Sequence, residues 1–252
     1  MSLELSFSLE RGGFSLEVDH VCDGVTAVIG PIEAGKTTLL RACVGAVRPR
    51  SGTIRLAGRT LFDARGRDLP PEERRVAYVP QGLGLFPHLD VVQNVAFARR
   101  HGTEFEARRA ALRRLADDDL EHLAHRLPGA LSDDQRLRVA LIRALASEPE
   151  LVLLDEPFGA FEPHDRRRLR RAMAIWLHEA DRPVLLTTRE AADASELADG
   201  LLVLEGGRVT QSGSIDEVAV RPATEYVAAL TAGLIDRRPR SVPPPSIVSE
   251  DE

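Results

Sequence analysis

Lysine is almost missing from this sequence. Among 33 lysines and arginines only Lys36 is lysine, so a lysine at that one place answers a local need. Cysteine is scarce too. Cys22 and Cys43 stand alone without metal-like or redox spacing, which argues against a disulfide framework and for a reducing compartment. No run approaches the ~18 apolar residues of a membrane span. The opening MSLELSFSLE has no basic n-region leading into an apolar stretch, so a soluble, cytosolic chain is expected, one that can still dock on a membrane protein. Positive charge is not in excess either. The net charge of −6 speaks against a nucleic-acid partner, which needs a basic face, and the arginines at 166–168, 170 and 171 fall on a helical pattern among acids and read as a solvated face.

What is present is enough for one large α/β domain, with 252 residues of which 43% are hydrophobic. Val25 to Ile29 reads as a short buried strand. The next eight residues, Gly30 to Thr37, fit G-x-x-x-x-G-K-[ST] without a gap. A tight turn after a strand aims backbone N–H groups inward, and the positive end of the following helix, read from Thr37 to about Val47, points at the same spot. A polyphosphate fits there. Gly30, Pro31, Ile32, Glu33, Ala34, Gly35, Lys36, Thr37 and Thr38 are the expected phosphate-binding residues, with Lys36 reaching the β- and γ-phosphates and the Thr37 hydroxyl ligating Mg²⁺.

Along the chain, Leu3 to Leu9 and Phe14 to Val18 alternate like strands of a small antiparallel sheet, and Thr53 to Leu56 with Leu61 to Phe62 reads as another hairpin. Val76 to Val79 is a buried strand ending at Pro80-Gln81. From Leu83 to about Ala146 the spacing turns helical and predicts an inserted helical subdomain. Apolar strands at Leu151 to Leu154, Val184 to Thr187 and Leu201 to Leu204 then alternate with helices at His164 to Ala180 and Glu190 to Ala198. Two short helices near Ile215 to Val220 and Ala223 to Thr231 precede a tail, 236–252, whose prolines and acids predict disorder. The alternation implies a parallel core sheet, whose carboxyl edge is the ligand edge. Gly30, Gln81, Asp155 and Thr188 should converge on that edge. There LVLLDEP delivers Asp155, placed to hold Mg²⁺, and Glu156, placed to polarise an attacking water.

At this point the chain resembles the ATP-binding cassette proteins, over about Leu3 to Ala232. LSDDQ (Leu131 to Gln135) occupies the place of the family's LSGGQ signature, and Gln81 that of the Q-loop glutamine, which touches Mg²⁺ and the attacking water. FGAFE (Phe158 to Glu162) sits at the D-loop, and TTRE (Thr187 to Glu190) at the switch histidine. The resemblance implies a P-loop nucleotidase core with an N-terminal antiparallel β-subdomain and the helical insert, one domain over 1–235. It also implies ATP and Mg²⁺ as ligands. Two copies, or this chain and a second ATP-binding subunit, would close head to tail so that Ser132, Asp133, Asp134 and Gln135 of one cap the nucleotide on the other. Membrane permease subunits and, indirectly, a substrate-binding protein would complete an importer on the cytoplasmic face of the membrane. The stretch Leu69 to Phe97 looks like the Q-loop region of oxyanion importers, most of all the molybdate type and next the sulfate type. A further C-terminal oxyanion-binding β-domain is common in that group; because the sequence stops soon after Ile235, that module is expected to be absent. Phe14 is a candidate for the adenine-stacking aromatic, and equally a core residue.

The departures from the family cluster where phosphate should bind. Ile32 and Glu33 replace Ser and Gly of GPSGAGKT, Asp133 and Asp134 replace both signature glycines, Phe161-Glu162 replaces Leu-Asp, and Arg189 replaces the switch histidine. Ser132 to Gln135 reads as a capping box that neutralises the helix end with its own acids. Arg189 could face the γ-phosphate as a cation or pair with the new acids. Slow hydrolysis is therefore expected. The alternative is a non-hydrolysing subunit or a soluble cassette protein like those of iron–sulfur assembly.

Overall fold

The computed structural model describes residues 1–99, 102–159, 161–178 and 181–235. Strand β3 (Val25–Ile29) is buried at every position, and so are β8 (Leu151–Asp155) and β9 (Val184–Thr188). Continuous apolar runs of this kind suit parallel strands covered on both faces. β3 pairs in parallel with β9 and with β10 (Gly200–Glu205), β9 with β8, and β8 with β7 (Val76–Val79).

The N-terminal strands alternate instead. β1 (Ser2–Arg11) and β2 (Phe14–Asp23) form a hairpin, and β1 continues to β4 (Ser51–Leu56), β5 (Arg59–Asp63) and β6 (Arg67–Asp68), all antiparallel. The small antiparallel sheet expected at the N-terminus is continuous with the parallel core. β11 (Arg208–Gly213) pairs with β10 on one side and with β2 on the other, through Arg208 and Glu17, giving one sheet of eleven strands among the described residues.

Helix α1 (Lys36–Val44) lies between the two halves of that sheet. Its Leu39, Leu40, Ala42 and Cys43 pack with Val28, Leu153 and Leu185 of the parallel part and with Leu5, Leu16 and Ile54 of the antiparallel part. The apolar pattern runs on to Val47, yet the helix stops at Val44. Gly45 adopts φ +88, a left-handed cap. Beside it the fully buried Arg74 donates to the last helical carbonyls, Ala42 O at 2.8 Å and Cys43 O at 3.0 Å, as well as to Leu69 O and Asp68.

On the other face of the parallel strands Ile29, Val79, Leu154, Leu186 and Val203 pack against α4 (Asp133–Ala146), α5 (Pro163–His178) and the short helices that follow, α6 (Ala191–Leu197), α7 (Ile215–Val220) and α8 (Glu225–Ile235). Leu137, Leu141 and Ala144 of α4 join this core, while Val139 and Ile142 of the same helix join a separate one with α2 (Val91–Ala96) and α3 (Glu104–Asp117). The predicted helical stretch is thus not helical throughout. The turn before α2 is held by the buried Asn94, whose amide donates to the carbonyls of Phe86, Leu89 and Asp90. The arginine run on α5 is also not a solvated face alone. Arg170 is 9% exposed and pairs with the buried Asp193 at 2.9 Å and with Glu196 at 3.1 Å, and Arg166 reaches Glu190 and Asp193. A wheel of α5 cannot reveal acids supplied by α6. The tail at 236–252 lies outside the described residues.

Candidate functional site

The loop between β3 and α1 is shaped by two glycines and strained at one other residue. A Cβ on Gly30 would sit 2.1 Å from Leu204 O of β10, so the close approach of that strand excludes any side chain. Gly35 enters α1 at φ +105. Between them Glu33 holds φ +65, a left-handed conformation that glycine adopts freely and that costs a side-chain-bearing residue about 1–2 kcal/mol. The strain predicts the outcome of Glu33→Gly. Relief of strain exceeds the greater unfolded-state entropy of glycine, about 0.4–1 kcal/mol, so Tm should rise by about 1–4 °C, measured by thermal unfolding. Anions in the pocket should also bind more tightly as a negative charge leaves it.

Lys36 is 6% exposed, and its Nζ donates to Gly30 O at 2.8 Å and Pro31 O at 2.9 Å. Burial pulls its pKa below the ordinary lysine value; nearby Glu156 and Asp155 oppose the shift and Arg189 adds to it. The ammonium borders a cavity of about 680 Å³ at the carboxyl edge of the sheet. Ile32, Glu33, Ala34, Gly35, Thr37, Thr38, Gln81, Glu156 and Arg189 line the same cavity, as do Arg11, Gly12 and Phe14 from the β1–β2 turn. The sequence had offered Phe14 with a core residue as the equal alternative, and Arg11 and Gly12 had not been singled out. Phe14 packs on the core and borders the cavity at once.

The two acids at the end of β8 have different surroundings. Asp155 Oδ1 accepts from the Thr37 hydroxyl at 3.0 Å and the Thr187 hydroxyl at 2.9 Å, and its Oδ2 accepts from Tyr78 OH at 2.9 Å. Burial and the facing carboxylate push the Tyr78 phenol up to about 12. Glu156, at φ +44, donates its backbone N–H to Thr187 Oγ1 at 2.8 Å. Its carboxylate pairs with Arg189 at 2.9 Å. The pairing of Arg189 with Asp133 or Asp134 that the sequence allowed does not occur within the chain. Arg189 stands next to Glu156 instead, because β9 runs beside β8 and delivers it there.

Ser132, Asp133, Asp134 and Gln135 are not among the residues that line the cavity. They form the N-terminus of α4, where Ser132 Oγ accepts from Gln135 N at 3.3 Å and Gln135 Oε1 accepts from Ser132 N at 3.0 Å, the capping box expected from S-x-x-Q. Asp133 is held by Arg136 one turn on. In the sequence Thr187 stands out only within the TTRE segment, and no motif singles out Tyr78. The available signal was positional, since both lie at the carboxyl ends of buried strands that flank LVLLD.

The model of the ABC transporter family matches residues 15–159, a stretch that contains the whole glycine loop and both acids. The chain belongs to the ABC transporter family. It is 38% identical over 218 residues to the molybdenum import ATP-binding protein ModC of Brucella melitensis, covering 86% of this chain and 60% of that protein. With the Fe(3+) ions import ATP-binding protein FbpC of Pseudomonas fluorescens it shares 43% over 205 residues, covering 81% and 57%. The chain thus spans about 60% of the length of the curated relatives it matches. Among solved structures, the dimeric structure of a bacterial ABC transporter cassette superposes with a TM-score of 0.68 at 24% identity, over 85% of this chain and 99% of that one, and so shares the fold. Among the described residues no helix is long and apolar enough to cross a membrane.

Proposed function

We propose that the chain is the ATP-binding subunit of an ABC importer, one in which nucleotide binds readily and is hydrolysed slowly. The observation that carries this is the buried Lys36 ammonium inside the glycine loop, bordering the same cavity as Thr37, whose hydroxyl is paired with the buried Asp155. The residues present fit a magnesium–triphosphate group. An ammonium ringed by carbonyls and depressed in pKa lacks a full counter-charge, which phosphate would supply. Among the described residues no cluster of three His, Cys, Asp or Glu could hold a metal alone, so a cation at Thr37 and Asp155 would draw its remaining oxygens from phosphates and water. Bound Mg²⁺ would supply positive charge that offsets the phosphates. Lys36 and the N-terminal amides of α1 would hold the phosphates, Gln81, which borders the same cavity, would sense the cation, and Phe14 would meet the base.

Glu156 is the group placed to take a proton from water. Its ion pair with Arg189 ties up the carboxylate that would have to do so, which is the specific support for slow turnover. The same pair favours the second reading, a subunit that binds nucleotide without hydrolysing it. The names of the relatives, import ATP-binding proteins, support an importer; in the proposed assembly two ATP-binding subunits work on a permease at the cytoplasmic face, with a substrate-binding protein beyond it. Molybdate or a similar oxyanion is the cargo favoured by the Leu69 to Phe97 stretch, and ferric ion is its competitor. Co-purification with a permease, followed by uptake of each ion into vesicles, separates these from one another and from a soluble role.

Calorimetric titration of MgATP is the first test. Lys36→Ala removes two carbonyl contacts and the charge aimed at phosphate, and charge-assisted bonds of this kind are each worth about 1.5–3 kcal/mol. Affinity is expected to fall about ten- to a hundredfold; equal binding by both proteins would sink the assignment.

A further inference from the structure

Asp155 is gripped from both neighbouring strands. In the parallel ladder it is the register partner of Thr187 on β9, and Tyr78 on β7 is the partner of Leu153, two residues before it. A carboxylate offers about four acceptor sites. Here the Thr37, Thr187 and Tyr78 hydroxyls fill three of them. A hydroxyl has one proton and two lone pairs. When Thr37 gives its proton to Asp155, both its lone pairs remain for another partner, so the orientation of Asp155 sets the orientation of the Thr37 oxygen. Thr187 is fully buried and also accepts from Glu156 N, so one hydroxyl fixes the spacing of the two acids.

We propose that Tyr78 and Thr187 are positioning residues that lock the Asp155 carboxylate so that the Thr37 hydroxyl presents its lone pairs to a divalent cation. The assignment rests on the nucleotide reading above, and it goes further in making the cation's share of binding depend on two residues outside the phosphate loop. Partners that orient metal-binding groups from behind are worth about 10–100-fold in metal affinity. Because Tyr78 is half-buried and water can partly replace its hydroxyl, the effect expected here is at the lower end.

The test compares ATP affinity of the full chain in Mg²⁺ and in EDTA, for the wild type and for Tyr78→Phe, Thr187→Val and Thr187→Ser. Phe and Val keep the volume and delete the hydroxyl, and Ser keeps the hydroxyl. The gain in affinity on adding Mg²⁺ is expected to shrink about tenfold in Tyr78→Phe and in Thr187→Val, to survive in Thr187→Ser, and to leave the EDTA affinity unchanged in all. An intact Mg²⁺ gain in both deletions overturns the assignment. So does a fall that is equal with and without Mg²⁺, which marks a purely structural role. A wild type that binds ATP with no Mg²⁺ gain overturns this assignment alone, whereas one that binds no ATP in either condition removes the proposed function with it.

Discussion

ATP turnover is expected to rise about a thousandfold when Arg189→His is combined with Asp133→Gly and Asp134→Gly, as read by steady-state phosphate release. Two physical terms add. Arg189 holds Glu156 at 2.9 Å, and a general base free to accept a proton contributes about 10²–10⁴-fold. The acids at the start of α4 act on the other copy in the proposed dimer. A carboxylate ~6 Å from a phosphate charge, at an effective dielectric of ~20, is repelled by about 3 kcal/mol before solvent screening. Single restorations should give far less than the combination, since one frees the base and the other lets the copies close. Adding Glu156→Gln to the restored protein should cancel the gain. Turnover of about 1 s⁻¹ or more in the unaltered chain, ordinary for an enzyme, would show that neither the pair nor the acids hold hydrolysis back.

Loss of stability by about 3–5 kcal/mol is the expected result of Arg74→Ala, in line with breaking a buried, hydrogen-bonded charge from one side. The guanidinium meets the carbonyls of Leu69, Ala42 and Cys43 and the Asp68 carboxylate while fully buried. Burial lowers its pKa and Asp68 opposes the shift. Removing it takes a donor from the carbonyls of Cys43, Leu69 and Ala42, of which Ala42 O keeps the Gly45 N–H at 3.2 Å, and opens a cavity against Gly45. Tm should fall by about 6–20 °C at ~2–4 °C per kcal/mol for a chain of this size. Arg74→Met, which refills the volume but not the hydrogen bonds, should recover a minor part. Urea unfolding that shows a cost under about 1 kcal/mol would mean that water reaches those carbonyls.

The glycine loop, the strands around it and the two acids were legible because each is dictated locally. A strand buried on both faces must be mostly apolar, as VTAVI and LVLLD are, and a phosphate loop must be glycine-rich where backbone approaches backbone, as Gly30 approaches Leu204. What escaped were relations between segments far apart in sequence. Nothing in the arginine run at 166–171 announces Asp193, and nothing in TTRE announces that Arg189 will find Glu156 on the next strand. The helix end at Gly45 was overrun because Val47 continued the apolar pattern while the glycine's left-handed cap was not weighed. The union of two sheets into one depends on a single pair, Arg208 with Glu17, that no periodicity encodes.

Helix α4 has a foot in two cores, Leu137, Leu141 and Ala144 in the one beneath the parallel strands and Val139 and Ile142 in the one it shares with α2 and α3. Fourteen residues of α-helix make a stiff rod of about 21 Å. Close-packed interiors resist continuous deformation, so tilting α2 and α3 against the strands must carry this rod along. The consequence is that α2, α3 and the N-terminal end of the rod at Asp133 move as one piece.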